Sequence, residues 1–114
     1  MNAFDHISNE LMVTRMLNDN FRKYFVGGRI MVTASIAACP DLQASLLAIV
    51  RGYENFTPDT DVDRDHSFGA FKFAGDSFYW KIDYYDPTME YASEDPSDQS
   101  ITRRVLTLMY ASEY

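Results

Sequence analysis

The run "FGAFKFAGDSFYWKIDYY", residues 68–85, constrains this chain more than any other stretch. Two segments rich in aromatic residues flank Gly75-Asp76, and that combination of pattern and turn chemistry specifies a β-hairpin. With the turn at Gly75-Asp76, Phe73 faces Phe78, Lys72 faces Tyr79, Phe71 faces Trp80, Ala70 faces Lys81 and Gly69 faces Ile82. Successive side chains alternate between faces. Gly69, Phe71, Phe73, Phe78, Trp80 and Ile82 therefore form one apolar face, on which Gly69 leaves room for the indole. Lys72, Tyr79, Lys81, Asp83 and Tyr85 form the other.

The flanking segments predict what covers that apolar face. Over residues 6–25, Ile7, Leu11, Thr14, Leu17, Phe21 and Tyr24 recur at three- and four-residue steps, the period of an amphipathic helix. Ser8 or Asn9 caps its start, and Gly27-Gly28 ends it in a left-handed turn. "GRIMVTAS" reads as a short strand from Arg29 to about Ala34. Pro40 and Asp41 open a second helix with Leu42, Leu46, Ile49, Val50 and Tyr53 on one side. Residues 57–67 and 87–97 lack a periodic apolar face and read as loops. Residues 98–114 predict a third helix, capped by Asp98 or Ser100, with Ile101, Val105, Leu108 and Met109 inward and Arg103-Arg104 outward. The expectation is one α+β domain over residues 1–114, a small antiparallel sheet (strand plus β-hairpin) packed against about three helices.

At 114 residues the chain is long enough for one modest core. No apolar run approaches the roughly 20 residues that cross a bilayer, and the first residues lack the basic-then-apolar pattern expected of a signal peptide. Cys39 is the single cysteine. It excludes an internal disulfide, suits a reducing bacterial cytoplasm and reads as a small buried residue. Residues 54–98 carry twelve Asp and Glu against Arg64, Lys72 and Lys81, a net of −9 within a chain of net −7. That balance disfavours direct binding to phosphate backbones. It suits a basic protein partner, a cation or plain solubility.

Four stretches, "GGRIMVT", "FTPDTDVDRDHSFGAF", "FYWKIDYYDP" and "SEDPSDQSITRRVLTLMYASEY", carry a resemblance. Over about residues 27–114 the chain resembles a domain-of-unknown-function family of alphaproteobacteria, their plasmids and phages. The family's W-K-I-D-Y-Y-D strand corresponds to Trp80–Asp86, its D-P loop to Asp95-Pro96 and its T-R-R-V-L-T-x-M segment to residues from Thr102 onward. Where the family tends to read D-P-x-G-E-H-D-F-G, this chain has "DVDRDHSFG", which keeps Asp61, His66, Phe68 and Gly69 and departs at Val62, Arg64, Asp65 and Ser67. The resemblance implies no activity, but it associates the chain with mobile elements.

Three constellations are candidates for function. "DTDVDRD" begins like a calcium loop, but counting from Asp59 the sixth position is Arg64 and the twelfth Ala70, where such a loop needs Gly and Glu. His66 with Asp61, Asp65, Asp83 and Asp86 offers ligand types for a small metal-dependent enzyme centred on His66 and Asp83. The leading reading uses the acids as a patch. Asp59, Asp61, Asp63, Asp65, Asp83, Asp86, Glu94 and Asp95, with Glu90 and Asp98, come from two loops and a strand end that meet at the open end of the hairpin. The expectation is an acidic protein-binding module without catalytic residues, metal or cofactor. It would inhibit a nucleic-acid-handling defence complex of anti-CRISPR or anti-restriction type as a DNA mimic. A homodimer through the face around Arg103 and Arg104 is a further expectation.

Overall fold

A computed structural model describes residues 7–114. Its described residues form three helices, α1 (Asn9–Tyr24), α2 (Ala34–Ala37) and α3 (Pro40–Arg51), and four strands, β1 (Gly28–Val32), β2 (Phe68–Phe73), β3 (Asp76–Tyr85) and β4 (Arg103–Tyr110). The α+β class is as expected. Residues 1–6, which include the first position of the expected first helix, lie outside the described residues. Ser8 caps α1 by accepting the Leu11 N–H at 3.0 Å. The left-handed stop of α1 falls on Phe25 (φ 54°), whose N–H bonds to the Phe21 carbonyl, with Gly27 (φ 98°) completing the turn into β1.

The sheet has the order β1-β4-β3-β2, and β1 runs parallel to β4, so it is mixed and not purely antiparallel. The expected C-terminal helix is absent: residues 103–110 are the strand β4, flanked by 3₁₀ turns at Gln99–Ile101 and Ala111–Glu113. The three- and four-residue spacing of Ile101, Val105, Leu108 and Met109 imitates a helix, but the segment lies between β1 and β3. Val105 and Met109 are buried on one face, Leu106 and Leu108 on the other. A strand covered on both sides shows a continuous apolar run instead of alternation. Arg104, expected outward, is also buried, so the helical dimer face around Arg103 and Arg104 does not exist.

The hairpin forms with its two faces as expected but in a register shifted by two. Gly69 faces Trp80, Phe71 faces Phe78 and Phe73 faces Asp76. The turn residues are Ala74 (φ 51°) and Gly75 (φ 86°), both left-handed, as a tight turn matched to strand twist requires. A two-residue shift preserves side-chain parity, so the core face survives. Phe78, Trp80 and Ile82 of β3 join Leu106 and Leu108 of β4 beneath Phe21 of α1, Ile36 of α2, and Leu46 and Val50 of α3. Tyr79, Lys81, Asp83 and Tyr85 point to the opposite face.

The outer edge of β2 is blocked at Ala70. The Tyr53 hydroxyl accepts the Ala70 N–H at 3.2 Å and lies 3.2 Å from the Ala70 carbonyl oxygen. Cys39, expected to be buried, is exposed just before α3, where the chain turns from α2 into Pro40.

Candidate functional site

The acidic loop is folded by its own carboxylates and tied to α1 through its backbone carbonyls. Asp61 accepts the His66 N–H at 3.0 Å, and Asp65 accepts the Ser67 N–H at 3.2 Å and its hydroxyl at 2.6 Å. Arg15 of α1 donates through Nε (2.9 Å) and Nη2 (2.6 Å) to the Arg64 carbonyl. These bonds hold Arg64 (φ 61°) and His66 (φ 59°) in the left-handed region, which costs a non-glycine residue roughly 1–2 kcal/mol. Asp61 and Asp65 are both buried. Burial, partly offset by the His66 backbone bond, raises the Asp61 pKa from its ordinary value.

Beneath the loop lies a polar network that sequence reasoning missed. The Tyr84 hydroxyl donates to Asp65 Oδ2 (2.6 Å) and accepts from Asn18 Nδ2 (2.6 Å). Asn18 Nδ2 also donates to the Asp65 carbonyl (2.9 Å), and its Oδ1 accepts from Arg104 Nε (2.8 Å). Burial first, then the bond to Asp65, pushes the Tyr84 phenol far above its ordinary value. Beside it, the Arg22 guanidinium sits over the Phe56 and Trp80 rings and donates to the Val50 and Arg51 carbonyls and to Asp19. Nothing in the local sequence marks Arg22 or Arg104 as internal. Each is placed by a partner distant in sequence.

His66 belongs to this network and not to a shared centre with Asp83. Its ring stacks on Phe56 (centroids 3.8 Å apart), with Nδ1 2.9 Å from Asp19 Oδ1 of α1 and Nε2 3.8 Å from Asp61 Oδ2. Asp83 lies on the opposite face of the sheet and accepts from Lys81 at 2.6 Å. The structure therefore does not bring His66 and Asp83 together. Among the described residues, no group of three or more His, Cys, Asp or Glu is placed to hold a metal ion.

The expected gathering of acids is realised in part. A cleft of ≈ 880 Å³ opens between the acidic loop, the outer face of β3 and the loop after it, and Asp59, Asp61, Asp63, Asp65, Asp83 and Glu90 line it. Phe68, Tyr79, Tyr85, Tyr91 and Tyr114 supply its aromatic walls. Asp59 and Asp63 are exposed, whereas Asp61 and Asp65 are engaged inward. Val62, Tyr91 and Tyr114 stand 75 %, 69 % and 76 % exposed at its margin. Tyr114 packs edge-on against Phe68 and Tyr79.

Asp86, Glu94 and Asp95 are not among the residues lining the cleft. Asp86 caps its own turn by accepting from the Thr88 hydroxyl (2.7 Å) and the Glu90 and Tyr91 N–H groups. Asp95 accepts from the Ser97 N–H (3.0 Å) and hydroxyl (2.6 Å), and Glu94 is exposed. The exposed apolar Val62 among the aspartates was the one local signal of the cleft margin.

Fold and site together define a small mixed-sheet α+β domain with an acid-lined aromatic cleft. The chain belongs to the family described as Protein of unknown function (DUF3768), whose model matches residues 32–113. No curated protein and no solved structure matches it. No helix among the described residues is long and apolar enough to cross a membrane.

Proposed function

We propose that the domain is an acidic protein-binding module whose cleft receives a basic surface of a nucleic-acid-handling protein. One observation carries this reading: exposed carboxylates and exposed apolar side chains alternate around a single cleft. Asp59, Asp63 and Glu90 supply negative charge beside Val62, Tyr91 and Tyr114. Solvated charge alone needs no neighbouring exposed aromatics, whereas protein interfaces concentrate them. Guanidinium and ammonium groups that bind phosphates are attracted equally to closely spaced carboxylates and to ring faces. The resemblance to a family of plasmids and phages supports a narrower role, inhibition of a host restriction or CRISPR complex in the bacterial cytoplasm, by association only.

The test is affinity capture from a bacterial lysate with the wild-type protein and an Asp59→Asn, Asp63→Asn, Glu90→Gln variant. The expected result is a nucleic-acid-binding complex held by the wild type, displaced by added duplex DNA and not held by the variant. Identical captures by both proteins would overturn the reading.

A further inference from the structure

The two edges of the sheet are treated differently. At β2 the Tyr53 hydroxyl occupies the Ala70 N–H and lies against its carbonyl. At β1 the sole strand neighbour is β4, and among the described residues none hydrogen-bonds to the outward edge. "GRIMV" contains no proline, and an uncovered edge of this kind is a template for another strand. Met31 of β1 itself is among the large hydrophobic side chains left exposed. Of the nine large hydrophobic side chains exposed among the described residues, Val62, Tyr91 and Tyr114 border the cleft. The other six are Met12, Val13, Met16, Tyr24, Val26 and Met31, on α1, the turn after it and β1 itself.

We propose that β1 pairs antiparallel with β1 of a second copy of this chain, joining the two sheets edge to edge. The charges at the ends of the strand select this occupant and this direction. Arg29 stands near the N-terminal end of β1. At the C-terminal end Glu113 is fixed by the Thr33 hydroxyl (2.9 Å) and the Ser35 hydroxyl (2.9 Å). An antiparallel second copy sets each Arg29 beside the other copy's Thr33 and Glu113, so opposite charges meet at both ends. A parallel copy would set like against like. A two-fold axis, the usual symmetry of a homodimer, also requires the antiparallel direction.

The same alignment fixes the register. With Arg29 opposite Thr33 of the second copy, Ile30 faces Val32 and Met31 faces its own symmetry mate. Directly opposed residues share a face. Ile30 and Val32, which already pack against the core, would extend it across the joint, and Met31, 48 % exposed, would be covered on the open face.

The test uses the full chain carrying Cys39→Ala, so that no native thiol interferes. Light scattering on a sizing column should give twice the monomer mass, shifting toward monomer as salt is raised. Arg29→Glu, an exposed change that leaves the core intact, should weaken the dimer about tenfold or more. Met31→Cys should form an intermolecular disulfide under mild oxidation, because opposed residues of antiparallel strands lie ~4.5–5.5 Å apart at Cα, within disulfide reach. Met12→Cys should not.

A monomeric wild type at its highest soluble concentration would overturn the proposal. So would a dimer that is indifferent to Arg29→Glu and that cross-links at Met12 but not at Met31, since that places the interface on α1.

Discussion

Gly69 lies directly across the hairpin from Trp80, and the space its missing side chain leaves is filled by the indole. A methyl group on Gly69 would overlap the indole nitrogen and its fused-ring carbon, and Trp80 is fully buried with no room to retreat. Gly69→Ala is expected to destabilise the fold by roughly 1–3 kcal/mol, the usual cost of overpacking a core. That corresponds to several degrees in Tm. Thermal unfolding followed by Trp80 fluorescence checks it, and an unchanged Tm would mean that the hairpin register is not the one described.

Asn18 joins α1, the acidic loop, β3 and β4 through three partners, Asp65, Tyr84 and Arg104. Asn18→Leu fills a similar volume but leaves the Asp65 carbonyl and Arg104 Nε without their Asn18 partner in the interior. Each orphaned buried group costs about 1–3 kcal/mol. The loss should therefore be several kcal/mol in urea unfolding. A double-mutant cycle with Tyr84→Phe should show strong non-additivity, because the two side chains share one network.

Tyr84 predicts alkaline sensitivity. The unfolded phenol ionises near pH ~10, whereas the folded phenol keeps its proton to higher pH because it is buried and donates to Asp65. Above about pH 10 the folded state holds the proton that the unfolded state has released, so stability falls as pH rises. Lys81 acts in the same direction: its folded pKa is raised, chiefly by the bond to Asp83, and its contribution is present below ~10.4 and lost as pH rises through the folded value. Urea midpoints measured between about pH 8 and 11 should fall for the wild type. They should fall less steeply for Tyr84→Phe. Equal slopes would remove Tyr84 from the account.

The aspartates of the loop should separate into two classes. Asp59→Asn and Asp63→Asn change exposed groups and should leave stability within about 0.5 kcal/mol. If the cleft binds a basic partner, they should weaken capture. Asp65→Asn disturbs the bonds to Ser67 and Tyr84 and should cost roughly 1–3 kcal/mol whatever the partner. Melting curves beside capture assays distinguish the two, and a stable Asp65→Asn protein would contradict the buried network.

How far the sequence reveals this fold depends on whether the deciding contacts are local. The periods of α1 and α3, the Ser8 cap and the two faces of the hairpin are written in neighbouring residues. The hairpin register differs from the expected one because Ala74, a residue that seldom turns left-handed, occupies the first turn position and Gly75 the second. The error over β4 has a different origin. A central strand buried on both sides loses its alternation, and Thr102, Val105 and Thr107 were the remaining β-type signals. The acids misled for a third reason: Asp61 and Asp65 look like solvated charge in "DTDVDRD", yet they turn inward to Ser67, Tyr84 and His66. His66 and Ser67 are close neighbours in the chain, but Tyr84 comes from β3, beyond the reach of a local pattern.

The position of β4 also governs the order in which this protein can be made. β1 finds its partner only when Gly28 meets Arg104 and Val32 meets Leu108. During synthesis the hairpin emerges and can close early, while β1 waits with no strand beside it. A nascent chain that stops short of Arg103 holds two separate pieces of sheet with the middle missing. The final joining must therefore insert a segment between two strands already made, a non-local step of the kind that slows folding. Until then the apolar surfaces of both pieces depend on the helices, or on a chaperone, for cover.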